Sequence, residues 1–197
     1  MAAPQQMLLS YSAAVAVTYA TRNPSDKNAN IALSSGNLIA TASNTAWKSV
    51  RATLGKSSGK WYREVKTKKT SWGWNAMIWV GDSGASLSTY CWSNAASNAY
   101  YSYNWKADGA NRYNNNMNLT YWNPFALNDV IGVALNMDAG EVTFYKNNVT
   151  QNAITWVSGT MYPMVSPYDN TMFFETNFGA TSLVYTPPSG FNAGLYI

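Results

Sequence analysis

The amino-acid sequence predicts an all-β fold, a two-layer antiparallel sandwich. Three observations predict it. Short runs either alternate apolar and polar residues or stay apolar throughout, the two patterns of a strand. Nearly every junction between runs carries Asn, Gly, Pro or Ser, each suited to a turn for its own stereochemical reason. No segment repeats apolar residues at helical spacing between two caps. The 197 residues fit one such domain with a short extension.

The elements follow in order. Residues 31–33 and 38–41 read as short strands around Ser34-Ser35-Gly36-Asn37. Residues 47–54 alternate loosely and stop at Gly55, and Gly59 then opens a long strand over residues 60–69. Residues 75–80 are almost continuously apolar and end at Gly81-Asp82-Ser83-Gly84, as expected of a strand covered on both faces. Residues 100–106 alternate, with Tyr101, Tyr103 and Trp105 on one face, and Tyr113-Asn114-Asn115-Asn116 reads as a polar turn. Residues 130–137 and 141–145 flank Asp138-Ala139-Gly140 as a hairpin. Two more strands, 161–166 and 172–178, are separated by a turn over 167–170. Pro187-Pro188-Ser189-Gly190 is expected to end the domain. The chain has no internal repeat, which argues against a propeller or a β-helix.

Composition narrows the function. Hydrophobic residues make up 47% and aromatic residues 15%, enough for a sizeable core, whereas charged residues make up 11%. Ordinary soluble domains carry about 25% charge. Asn, Ser and Thr must therefore cover the surface, and Asn alone occurs 23 times. Net charge is +4. Six of the basic residues, Lys56, Lys60, Arg63, Lys66, Lys68 and Lys69, fall in one stretch. They read either as a solvated strand edge guarded against unwanted pairing or as a nucleic-acid stripe, and nucleic acid is the less expected partner.

Histidine is absent, which removes Ser-His-Asp and Cys-His catalysis and histidine metal sites. The lone Cys91 allows no intrachain disulfide and no cysteine zinc site. Among the nine carboxylates only Asp138 and Glu141 are close in sequence, and the hairpin accounts for them. A glycan hydrolase, the remote alternative, would need two carboxylates facing each other across a cleft. No calcium loop or phosphate loop is present, so neither a cofactor nor a metal is expected. No window reaches the ~18 apolar residues of a membrane-spanning helix. Residues 7–20 are fairly apolar but lack a preceding basic residue, so they make a poor signal peptide. They read as a strand or docking arm.

A series of motifs then becomes legible. Val50-Arg51 leads to Gly59-Lys60-Trp61-Tyr62-Arg63-Glu64-Val65, and Trp79-Val80-Gly81 follows. Tyr103-Asn104-Trp105 comes next, then the stretch from Asp129 to Asn147, then Tyr162-Pro163-Met164-Val165-Ser166. Asn177-Phe178-Gly179 and residues 187–191 close the series. In content and order this resembles the SPRY domain, a bent antiparallel two-sheet β-sandwich of the concanavalin A-like jelly-roll type. The resemblance covers about residues 23–191, between an arm at 1–22 and a tail at 192–197. One departure is Arg63, where family members usually place an aromatic. The low charge, the Asn content and the lack of accompanying signalling segments resemble SPRY domains carried by bacteriophage particles.

The resemblance implies a non-enzymatic module that binds through loops at one end of the sandwich. It carries Arg51 over to an arginine of that pocket, Tyr103 and Trp105 to an aromatic segment near it, and Tyr168 to a rim aromatic. A second reading stands beside each: large aromatics also build sandwich cores, and Arg51 could pair with a turn carboxylate. The expected setting is a virion, as a tail fibre, receptor-binding or capsid decoration protein. The expected partners are other virion proteins or further copies of the chain, and a host-surface glycan or protein. Met7, Leu8, Leu9, Tyr11, Val15, Val17 and Tyr19 would form the assembly arm. The alternative is a soluble carbohydrate- or peptide-binding SPRY adaptor outside a virion.

Overall fold

The computed structural model describes residues 16–69, 75–89, 97–103, 110–114, 117–121, 125–155 and 157–197. Strands fill it, and no helix occurs among the described residues. One sheet has seven strands. Its spatial order is β1 (Arg22–Lys27), β4 (Val50–Ala52), β13 (Tyr162–Pro167), β6 (Asn75–Gly81), β7 (Ser97–Tyr103), β8 (Ala110–Asn114) and β9 (Met117–Tyr121). The other runs β12 (Val149–Thr155), β11 (Glu141–Lys146), β10 (Val130–Asn136), β5 (Lys60–Lys69), β14 (Met172–Asn177), β3 (Ile39–Ala42) and β2 (Ile31–Ser34). A short β15 (Asn192–Ala193) joins it, lying parallel to β5.

The main core lies between the sheets. Val50, Ile78, Val80 and Val165 come from the first sheet; Val65, Ile131, Val133, Val142, Phe144 and Phe174 come from the second. Alternation explains the choice: in β6, Ala76, Ile78 and Val80 face this core, while Met77 and Trp79 face outward into a second apolar cluster. All five are buried, as the continuous apolar run predicts. A third cluster of Ala20, Ala52, Phe178 and Leu195 closes the edge near the chain ends.

Asparagine shapes the turns. Asn37, Asn128, Asn147, Asn148 and Asn152 all have positive φ, a region that Asn tolerates far better than branched residues. The expected hairpin of β10 and β11 forms with Asn136 opposite Glu141. In its turn the Asp138 carboxylate accepts from Gly59 N at 2.6 Å, a structural use of that acid.

Several expectations need correction. The lysine-rich strand is not an edge: β5 pairs with β10 on one side and β14 on the other. Lys60, Lys66 and Lys68 alternate with the core residue Val65 and so lie on the outer face of the sheet; their exposure comes from a face and not from an edge. Nor do the six basic residues form one stripe. Arg63 is buried, and Lys56 packs 3.7 Å from the Trp61 ring centroid while donating to Tyr196 O. The predicted strand at 47–54 contracts to Val50–Ala52. The loose alternation around Trp47 belongs to the preceding loop. Tyr113 and Asn114 lie within β8, not in a turn. Strand pairing also continues past residues 187–190. Asn192 and Ala193 pair with β5, and Leu195 is buried.

The described part of the expected arm is folded in. Thr18 and Ala20 hydrogen-bond with Ile197 and Leu195, and Tyr19 packs edge-on against Tyr196. Val17 is half exposed. Met7, Leu8, Leu9, Tyr11 and Val15 lie outside the described residues, as does Cys91.

Candidate functional site

Arg51 sits at the middle of β4. Its neighbour Val50 points into the interlayer core, so alternation sends Arg51 to the outer face of the seven-stranded sheet. That face is covered. The segment after β6 crosses it, and Arg51 is 4% exposed beneath it. Each guanidinium nitrogen has an oxygen partner: Nε donates to Asp82 O at 3.2 Å, Nη2 to Ala85 O at 2.7 Å, and Nη1 to the Asp26 carboxylate. The Tyr162 ring lies 5.8 Å away. Arg51 thus fastens β1, β4 and the loop after β6 together, and the carboxylate that claims it comes from a strand.

Further along the same face the covering becomes a layered lining. Met77, Trp79, Ala85 and Met164 are buried there, with Trp47 and Leu87 packed on them. A polar chain threads the layer. Trp79 Nε1 donates to Ser166 Oγ at 2.9 Å, Ser166 Oγ meets Ser49 Oγ at 2.7 Å, and Ser49 Oγ donates to Thr89 O at 3.0 Å. A second bond, Ser49 N to Leu87 O at 2.9 Å, holds the strap from its other side. Buried hydroxyls satisfied in this way fix the strap at little cost.

At the end of the sheet the lining opens. Trp47 and Tyr168 are half-buried and meet edge to face, with ring centroids 5.1 Å apart. Ala46 N donates to Tyr168 O at 3.0 Å, which ties the loop before β4 to the loop after β13. The Asp169 carboxylate accepts from Thr171 N and Thr171 Oγ1, which shapes the second loop. Asn44, Thr45, Ala46 and Asn170 stand exposed around the two rings. The result is an aromatic pair framed by amides and a hydroxyl. Such a frame gives broad contact area with adaptable hydrogen bonding.

Register decides which predicted residues meet. Pro167 pairs with Ala76, and Ala76 pairs with Ser102. The next residue along each strand is therefore Tyr168, Asn75 and Tyr103. Tyr168 and the Tyr103 backbone thus reach the same end of the sheet, two strands or about 10 Å apart. Arg51 is elsewhere. It pairs with Met164, which pairs with Trp79, four residues or about 13 Å along β6 from Asn75. Trp105 lies outside the described residues. Trp47 emerges as the partner of Tyr168; in sequence it reads as the first residue of a loosely alternating strand, and no motif marks it as part of a site. Asp26, Asp82 and Ala85, the partners of Arg51, also escaped sequence reasoning, because contacts across 25 to 34 positions leave no local pattern.

Among the described residues, no cluster of three His, Cys, Asp or Glu side chains could hold a metal ion. No described helix is long and apolar enough to cross a membrane.

Comparison with known families places this geometry. The SPRY domain family matches residues 48–181, about two thirds of the chain. The chain belongs to the SPRY family. The match spans β4 to the residues after β14 and so includes Arg51, the strap and Tyr168. Solved structures similar to it include the PSpry domain of TRIM65, at 14% identity, TM-score 0.64, covering 81% of this chain and 92% of that one. The SPRY domain of human HERC1 is similar at 18% identity and TM-score 0.64, covering 79% and 96%. Stonustoxin is similar at 17% identity and TM-score 0.65, covering 80% of this chain and 28% of the toxin chain. At these identities the likeness shows the SPRY sandwich fold. No curated protein sequence matches the chain. Membership in a family of binding modules agrees with a site built of aromatic and amide groups.

Proposed function

We propose that this SPRY chain is a non-catalytic binding module, and that its contact surface is the loop end built around Trp47 and Tyr168. The observation that carries this reading is the register. It gathers Trp47, Tyr168 and the Tyr103 position at one end, with exposed Asn44, Thr45 and Asn170 around them. Arg51 lies about 13 Å along the sheet from this surface and holds the loop after β6 in place. Aromatic faces with flanking amides suit a sugar ring or an extended peptide.

In this reading the module works within a bacteriophage particle, as a tail-fibre, receptor-binding or decoration component. Composition supports that setting: 11% charged residues and 23 asparagines. Residues 7–15 would supply the docking arm towards other virion proteins or further copies of the chain. Deletion of residues 1–15, which spares the pairing of Thr18 and Ala20 with the C-terminal residues, should abolish recovery in purified particles and leave ligand binding intact. Absence of the intact chain from gradient-purified particles would refute the virion setting.

The surface is tested with two probes, an array of bacterial surface polysaccharides and a displayed library of random dodecapeptides. The full chain should select a ligand from one of them. Tyr168→Ala and Trp47→Ala should each lower affinity for that ligand at least about tenfold, the loss of one aromatic hot spot. Selection of nothing from either probe counts against the binding reading. An unchanged affinity in both folded variants would move the surface elsewhere.

A further inference from the structure

The outer face of the eight-stranded sheet is only partly covered. Alternation from the core residue Val65 sends Glu64 and Lys66 of β5 outward. Alternation from Phe174 sends Glu175 and Asn177 of β14 outward. Register sets these side chains in two rows. Gly132, Glu64 and Asn177 form one row, and Val130, Lys66 and Glu175 form the next.

The loop after β14 is fastened on the first row. The Glu64 carboxylate accepts from Val184 N at 2.7 Å and from Tyr185 N at 2.8 Å, one with each oxygen. Asn177 Nδ2 donates to Thr181 O at 3.3 Å and Ser182 O at 3.0 Å, and its Oδ1 accepts from Gly179 N at 2.8 Å. The second row is left open. Between it and the loop edge at Thr181 and Val184 lies a cavity of about 230 Å³, with Leu38 and Val130 in its walls.

The charged groups of this cavity are unequally engaged. Glu64 is buried and holds the loop. Glu175 pairs with Lys68 at 3.1 Å. Lys66 is partly exposed, lines the cavity, and has no hydrogen-bond or ion-pair partner among the described residues. The exposed Thr181 hydroxyl likewise has no partner among them. By contrast, Arg22 and Arg63 are buried inside the sandwich and out of a ligand's reach.

This lining selects a ligand. An ammonium and a hydroxyl are free to donate, and together they match the two oxygens of a carboxylate. The walls at Leu38, Val130 and Val184 are aliphatic, and Val184 is 65% exposed. Among the described residues no aromatic ring lines the cavity, and the Asn177 amide is already engaged, so a sugar face finds neither stacking nor a free amide. Pockets for drug-sized ligands run to about 300–1,000 Å³, so this smaller one suits a single residue-sized group.

We propose that this cavity binds a small aliphatic carboxylate. The carboxylate meets Lys66 Nζ and the Thr181 hydroxyl, and the branched stem lies against Leu38, Val130 and Val184. The C-terminal aliphatic residue of a peptide and a free branched-chain acid share this chemistry. Trp47 packs on the outer face of the other sheet, so the site stands apart from the loop-end surface.

Amide chemical-shift titration of the full chain tests the site with three probes. N-acetyl-leucine stands for a peptide end, 4-methylpentanoate for a free acid, and N-acetyl-leucinamide lacks the charge. At least one of the acids should shift the amides of Lys66, Glu175 and residues 181–184. The leucinamide should bind at least about tenfold more weakly than that acid, the loss of one charge-assisted hydrogen bond. Tighter binding of N-acetyl-leucine assigns the site to peptide ends; equal or tighter binding of 4-methylpentanoate assigns it to free acids. Lys66→Met, which removes no polar contact of the fold, should reduce acid binding to the level of the amide. Tyr168→Ala should leave it unchanged. The proposal is overturned if neither acid shifts these amides, if acid and amide bind alike, or if folded Lys66→Met keeps full affinity. A loss of acid binding in Tyr168→Ala would place the ligand at the loop end and overturn it as well.

Discussion

Arg51 carries a charge that the fold uses as a rivet. With all three nitrogens engaged, replacement by Met strands Asp82 O and Ala85 O and frees the Asp26 carboxylate. Because Asp26 remains 35% exposed, the loss should fall below that of a fully buried pair, at about 2–4 kcal/mol. Urea unfolding of Arg51→Met measures it. A loss under about 0.5 kcal/mol would show that the strap holds without its arginine. The family resemblance singles out Arg51 for a pocket and leaves pairing with a turn carboxylate as the second reading; sequence alone does not choose, since the same residue serves a pocket or a scaffold depending on what covers it. Arg63 was harder still. Its position in a lysine-rich run suggested solvent, yet strand alternation turns it into the core.

At the level of elements, legibility followed apolar content. The strands β6, β10, β11, β13 and β14 could be read because their side chains advertise a buried face. Strand β1 reads RNPSDK and shows no such face; as an edge strand it can hold Pro24, which a central strand would reject. Strand β8 carries two Asn in five residues and runs into Asn115-Asn116, so it resembles a turn. Strand β9 alternates apolar and polar residues but is short and follows directly on that Asn-rich run. Strand β12 is interrupted by Asn152, whose φ is 70°. The β11–β12 hairpin depends on its two-residue turn, where Asn147 and Asn148 have φ of 47° and 69°. Positive φ at both positions is the condition for a type I′ turn. Asn147 also accepts from Val130 N and donates to the Asp129 carboxylate. Asn147→Ala should therefore cost about 1–2 kcal/mol in urea unfolding, whereas Asn148→Gly should be neutral or slightly stabilising. Equal losses in both would mean that backbone conformation, not the side-chain bonds, sets the stability of this hairpin.

Across the whole molecule, the sandwich separates two tasks. The interlayer core and the buried arginines hold the sheets, and the strap with Arg51 seals one outer face. The loops at one end stay available. Fold class was legible because two-sheet packing follows from alternation and turn chemistry. The contact surface was only half legible: Tyr168 stands beside loop-forming residues in sequence, whereas its partner Trp47 is 121 positions away and is brought close by the β13–β4 pairing. Hydrogen–deuterium exchange of the full chain, with and without a selected polysaccharide or peptide, probes that surface without altering a residue. The account predicts slowed exchange in residues 43–48 and 168–171 on binding. Slowing confined to the free edges β2 and β12, with those two loops unchanged, would contradict it.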